Sequence, residues 1–249
     1  MVPIAVLAVL VVVIIELPAS MLGRFLPAAV GMTEFSGSVW HGAAGSVTVN
    51  ARPIGAIEWH IHPWPLLGLA LVADLHWVKG GFVVDGAIDA TSTGLTLRGA
   101  QGGGPLDDLH DLGIAGGWRG TAGIKLDELK LALTGPGAIM SVDGDVSVLN
   151  LSSPRVANGA DLGGYMLHLA APTLAPGADL TGALHDTGGP LAVDAVVHLS
   201  PDGHTGMLSG TIMVRTDAPP ALRSQIADLA QLHAPDARGA IPVDLEFTL

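Results

Sequence analysis

Residues 56–62 read AIEWHIH and residues 69–77 read LALVADLHW. In the first, Ile57, Trp59 and Ile61 fall on one side of an extended chain, and Glu58, His60 and His62 fall on the other. In the second, Leu69, Leu71, Ala73, Leu75 and Trp77 share one side, with Asp74 and His76 opposite. Successive side chains of a strand point to opposite faces, so this two-residue period predicts a pair of half-buried strands.

The period recurs along the chain. Residues 139–148, IMSVDGDVSV, set Met140, Val142, Val146 and Val148 against Ser141, Asp143, Asp145 and Ser147. Residues 191–199, LAVDAVVHL, align Leu191, Val193, Ala195, Val197 and Leu199. Shorter versions surround Leu95, Leu126, Leu131, Leu167, Leu184 and Val214. Turn signals separate these segments: KGG at 79–81, TGPG at 134–137, TGG at 187–189 and SPDG at 200–203. The expected fold class is all-β, a large, curved, mostly antiparallel sheet of about ten or more strands. GAQGGGPLDDLHDLG, residues 99–113, is the best loop candidate and a place where the sheet would divide into two lobes.

One segment breaks the period. In PPALRSQIADLAQL, residues 219–232, Leu222, Ile226 and Leu229 recur at helical spacing after two prolines suited to a helix start. A short amphipathic helix is expected there, laid on the apolar face of the sheet, before a last strand in IPVDLEFTL.

Composition excludes several functions. Charged residues make up 14% of the 249, while Gly (34) and Pro (17) are plentiful, which suits strands and turns. Eleven basic against 23 acidic residues leave a net charge of −12, with no basic cluster to neutralise phosphates, so a nucleic-acid partner is excluded. With no cysteine, disulfides, thiolate metal sites and cysteine nucleophiles are excluded together.

The N-terminus carries an unbroken apolar run, VPIAVLAVLVVVII at 2–15. As a helix it spans about 21 Å, against roughly 30 Å for a hydrocarbon core, and continuing to Leu22 gives the missing length. No Lys or Arg precedes the run and LPA at 17–19 is a poor cleavage match, so an uncleaved anchor over 1–22 is favoured over a signal peptide. Val2, Ile4, Leu7, Leu10, Val13 and Ile15 would face lipid, and residues 23–249 would form the β-rich domain.

Signs of catalysis are weak. His60 and His62 share a strand face, with His76 on the next strand, but no metal-ligand run such as H-E-x-x-H is present. There is no G-x-S-x-G elbow, and GAQGGG lacks the strand-to-helix setting of a phosphate loop. His110–Asp111 and His185–Asp186 are sequence neighbours of the kind chance supplies, and Asp107–Asp108 and Asp143/Asp145 are read as turn residues. No enzyme activity, metal or cofactor is expected.

Taken in order, ELPASMLGRFLP, GSVWHGAAGSV and AIEWHIHPWPLLGLALVADL resemble the type II secretion system protein N (general secretion pathway protein N) family. The resemblance rests on Leu17–Ser20, Leu26–Pro27, the box Gly37, Trp40 and Gly42, the segment Trp59, Ile61 and Pro63, and Leu66, Leu67 and Gly68. Near the C-terminus LSPDGHTGMLSGTI and DARGAIPVDLEFTL also look like the family, whereas residues 90–160 are less diagnostic. The departure is the absence of basic residues before the anchor.

The resemblance implies an accessory inner-membrane component of the apparatus that exports folded proteins across the outer membrane of Gram-negative bacteria. Its domain would sit in the periplasm and contact the inner-membrane platform or the outer-membrane secretin. The family brings no catalytic residues. Trp40 is expected to cover the sheet near the membrane, joined by Trp59, Trp64 and Trp77 in a small cluster. The alternative is a membrane-anchored module that holds acyl chains in a trough along the sheet's apolar face.

Overall fold

The computed structural model describes residues 17–24, 26–112, 117–133, 139–175, 177–201, 205–230, 235–237 and 239–248. The apolar run with Val2, Ile4, Leu7, Leu10, Val13 and Ile15 lies outside the described residues. Among the described residues no helix is long and apolar enough to cross a membrane.

Among the described residues, fourteen strands form one antiparallel sheet. The first seven are β1 (Val30–Gly37), β2 (His41–Val49), β3 (Arg52–His62), β4 (Leu71–Lys79), β5 (Phe82–Ala90), β6 (Gly94–Pro105) and β7 (Arg119–Ala132). The rest are β8 (Ile139–Ser153), β9 (Val156–Asp161), β10 (Gly164–Ala171), β11 (Leu180–Gly188), β12 (Leu191–Leu199), β13 (Thr205–Val214) and β14 (Ile241–Thr248). Each strand pairs with its neighbour in sequence, except that β9 pairs off to the side and β8 meets β10 directly. The sheet is open: β1 and β14 form its two edges.

Tight turns fix the registers. Asn50 and Ala51, both at positive φ (49° and 64°), join β2 to β3, which suits the twist of a two-residue hairpin. Gly80 and Gly81 join β4 to β5, with Lys79 opposite Phe82 and the Gly81 amide donating to Asp108 Oδ2 at 2.6 Å.

Burial follows the alternation. On β3 Trp59 and Ile61 are buried between exposed Glu58 and His60. On β12 Leu191, Val193, Ala195 and Val197 are buried, with Asp194 and Val196 exposed. The buried side chains gather in four clusters along the sheet, three of them joined through the partly buried Val84, Trp118 and Leu151. The helix α1 (Pro220–Ala230) covers the C-terminal cluster, where Leu222 packs against the β12 side chains and Ile226 lies beside them. Gln225 Oε1 on α1 also accepts the Ala157 amide of β9 at 2.9 Å.

Several expectations need correction. The loop candidate at 99–113 is the second half of β6 followed by a 3₁₀ turn, Leu106–Leu112, and the sheet runs through it unbroken. Gly102, Gly103 and Gly104 stand there because a Cβ would strike the backbones of β5 and β7, so their role is close strand packing. Asp143 and Asp145 sit inside β8, not at a turn. Leu69 precedes β4, and Met140 is half exposed, because β7 pairs Lys130 with Ser141 but Leu131 with Ile139, leaving Met140 as the extra residue of a bulge. Residues 17–22 belong with the sheet: they open a 3₁₀ turn, Ala19–Arg24, in which Ala19 is 1% exposed, and the Val39 amide donates to the Leu17 carbonyl at 2.8 Å.

Candidate functional site

The glycine–tryptophan box and the segment Trp59–Gly68 fall at one end of the sheet, where β1 turns into β2 and β3 runs out toward β4. There they split into two groups with opposite surroundings.

The first group is structural. Gly37 has φ +77°, and a Cβ on it would strike the His41 carbonyl. Gly42 faces Trp59 across the β2–β3 ladder, and a Cβ there would lie 2.6 Å from Trp59 Cζ2 and 2.6 Å from the Ser38 carbonyl. The missing side chain is the space in which the Trp59 ring lies. Trp59 is 8% exposed, and its Nε1 donates to the Val39 carbonyl at 2.9 Å, pinning the β1–β2 turn from the neighbouring strand. Trp40 is partly buried against the same cluster, and its carbonyl accepts the Ile61 amide at 2.7 Å.

The second group is a prong. Pro63 leads into a 3₁₀ turn, Trp64–Gly68, that closes on itself: the Leu69 amide donates to Leu66 and the Ala70 amide to Pro65. Leu69 takes a left-handed conformation (φ 60°, ψ 28°), uncommon for a residue of its shape. The side chains of this tied turn stand in the open: Trp64 is 80% exposed, Leu67 83% and Leu69 88%, with Leu66 also exposed. No charged residue occurs from Pro63 to Val72. Gly68 meets nothing within 4 Å.

The four-tryptophan cluster therefore does not form. Trp59 and Trp40 share a cluster, Trp64 projects into solvent, and Trp77 packs on Phe82 with its Nε1 donating to Ile54. Sequence reading missed the prong because it counted Leu69 as strand and Trp64 as core. The available signal was Pro63 and Pro65, which end the alternation two residues before the apolar side chains reappear.

On the polar face, cross-strand His–Asp pairs replace the considered metal set. His62 Nε2 meets Asp74 at 2.9 Å, His76 Nδ1 meets Asp85 at 2.6 Å, and His168 pairs with Asp145 at 2.8 Å. The His60 ring lies between those of His41 and His62, with centroids 3.9 and 4.8 Å away. Among the described residues no group of three or more His, Asp or Glu is arranged to hold a metal ion. His110 does pair with Asp111, at 2.8 Å on the exposed 3₁₀ turn, whereas His185 turns to Asp194 and Asp186 to Arg215. The Asp186–Arg215 pair, at 2.6 Å, ties β11 to the end of β13, and Asp186 also accepts the Val193 amide. Burial alone would push Asp186 up, but these hydrogen bonds and the guanidinium charge hold it below the usual carboxylate value.

A groove of about 690 Å³ opens at the same end of the sheet as the prong, lined by Ala70, Leu95, Leu131, Ile139, Met140 and Leu174 among others.

The chain has no match among curated proteins or among solved structures. A family model described as type II secretion system (T2SS), protein N, does match, over residues 28–244, a span that takes in the glycine–tryptophan box, the prong and the first half of β14. The chain belongs to the type II secretion system protein N family, which ties it to protein secretion by that system and to the system's other components.

Proposed function

We propose that the chain is an accessory inner-membrane component of the type II secretion system, which supports export of folded proteins across the outer membrane through contacts and without catalysis. Residues 2–15, the part of the expected anchor that does not pack with the sheet, tether it, with local thinning of the bilayer making up the shortfall in length, and the sheet stands in the periplasm. The observation that carries this reading is the open edge at β14, whose backbone, among the described residues, pairs with β13 on one side alone. An unpaired edge can accept an added strand, in which main-chain hydrogen bonds supply affinity and alternate side chains supply specificity. Asp244 and Glu246 place charge on this edge, which discourages indiscriminate pairing. The inner-membrane platform and the outer-membrane secretin are the proposed partners. The trough alternative has less support, since it accounts for neither the open edge nor the family's tie to the other secretion components.

The test is photo-crosslinking from Leu245, which is more than half exposed on β14, in cells that make the whole apparatus. Adducts with a platform component or the secretin are expected. If Leu245 yields no adduct with any secretion component while secretion proceeds, the edge reading fails.

A further inference from the structure

The prong lies at the end of the sheet where the described chain begins. The apolar run ends at Ile15, and by Leu17 the chain is already hydrogen-bonded to Val39 in the β1–β2 turn, so no spacer separates the two. From Val39 the path passes to Trp40, across its hydrogen bond to Ile61, and three residues on to Trp64. Summing these steps puts Trp64 no more than about 25 Å from Leu17. Whatever surface the run at 2–15 enters must therefore pass close to the prong.

The prong has the chemistry of a bilayer boundary. Trp64 offers an amphipathic ring of the kind that settles at headgroup level, and Leu66, Leu67 and Leu69 offer apolar bulk. Its backbone is tied by its own hydrogen bonds, so exposing those side chains is a fixed feature of the fold. Leu133 and Met140, on the connection between β7 and β8 and at the start of β8, are exposed at the same end. The opposite end is capped, by the 3₁₀ turn Leu106–Leu112 and by α1.

We propose that the turn Pro63–Leu69 enters the lipid–water boundary of the membrane that holds residues 2–15, forming a second membrane contact that fixes the orientation of the sheet. This rests on the anchor reading above. Insertion of roughly 5–10 Å is enough to bury these side chains at the headgroup–acyl boundary.

The absence of cysteine makes the test direct. The full chain carrying Leu67→Cys, labelled with an environment-sensitive fluorophore, is reconstituted into vesicles of three parts phosphatidylethanolamine to one part phosphatidylglycerol. A second preparation carries Leu245→Cys. Both positions are exposed, so neither change threatens folding. Retention through an alkaline carbonate wash reports the anchor, and quenching by spin-labelled lipid reports the prong. Expected are retention, a blue-shifted label at 67 and about twofold or greater quenching there, with little at 245. Retention with an unquenched label at 67 overturns the inference and leaves the anchor standing. Equal quenching at both positions overturns it too, since the sheet would then lie flat. Loss of the chain in the wash overturns the anchor reading and this inference with it.

Discussion

Replacing Trp59 with phenylalanine tests whether the glycine–tryptophan box is architecture. The change removes the Nε1 donor and leaves the Val39 carbonyl, half-buried, without it, at a cost of about 1 kcal/mol. It withdraws roughly 40 Å² of buried ring, or about 1 kcal/mol at 25 cal/mol/Å². It leaves a void of roughly 40 Å³ over Gly42, worth about 1 kcal/mol more at the usual cavity coefficient. The total is about 3 kcal/mol. Urea denaturation of the chain from Leu17 to Leu249, which keeps every described contact, measures it. The reasoning is refuted if Trp59→Phe costs under 1 kcal/mol.

Gly42→Ala should destabilise the same fragment by about 1–3 kcal/mol through overpacking against the indole and the Ser38 carbonyl, and by less in the Trp59→Phe background; additive costs in the double variant would show that the ring is not what fills the space. A chain beginning at Gly23 should be less stable than one beginning at Leu17 by about 2–4 kcal/mol, having lost the Ala19 and Leu22 packing and the Leu17–Val39 bond, and equal urea midpoints would contradict this. Tyr165, the chain's one tyrosine, is pushed up to about 12 by burial first and then by Asp186 and Asp161, so its absorbance titration should have its midpoint near 12 when folded and near the ordinary 10 in urea. The sign follows: the folded value is raised, so the stability it brings is complete below pH 10 and lost as pH rises toward 12, and a folded midpoint near 10 would count against it. Asp186 is shifted the opposite way, so Arg215→Met should cost about 1–3 kcal/mol at neutral pH and progressively less as falling pH protonates the carboxylate, which the pair delays to below the ordinary carboxylate range; a deficit independent of pH would mean the pair acts by packing alone.

Much of this fold was legible because sheet residues report their side by simple alternation. Trp59, Ile61, Ala73, Val193 and Ala195 are buried where the two-residue period puts them, and Leu222 is buried where the helical period does. The failures share a cause, which is that local composition does not say what the neighbouring strand is doing. Gly102 to Gly104 look like a loop until β5 and β7 are placed close on either side. Met140 looks like core until the β7–β8 register slips by one residue. Ala19 looks like the tail of a membrane helix until β1 and β2 supply a surface for it. At the candidate site, Gly42 and Trp59 were noticed as a motif, but that one occupies the space left by the other is a tertiary fact.

The two ends of the sheet also differ in what they leave uncovered, and hydrophobicity alone does not account for it. At the far end, the β6–β7 connection folds down so that Leu106 and Leu109 are buried beside Phe82, and the β13–β14 connection forms α1 over Leu191 and Val193. Both connections are amphipathic and turn large apolar residues inward, Leu106 and Leu109 in one and Leu222 in the other. The β3–β4 connection is as apolar as either, yet it turns Trp64, Leu67 and Leu69 outward and holds Leu69 in a left-handed conformation to do so. A connection free to collapse onto the sheet would gain about 1.5–3 kcal/mol for each large apolar side chain it buried. Forgoing that gain three times in one short turn, at the end where the chain departs toward its apolar N-terminus, is what a surface covered by something else would show.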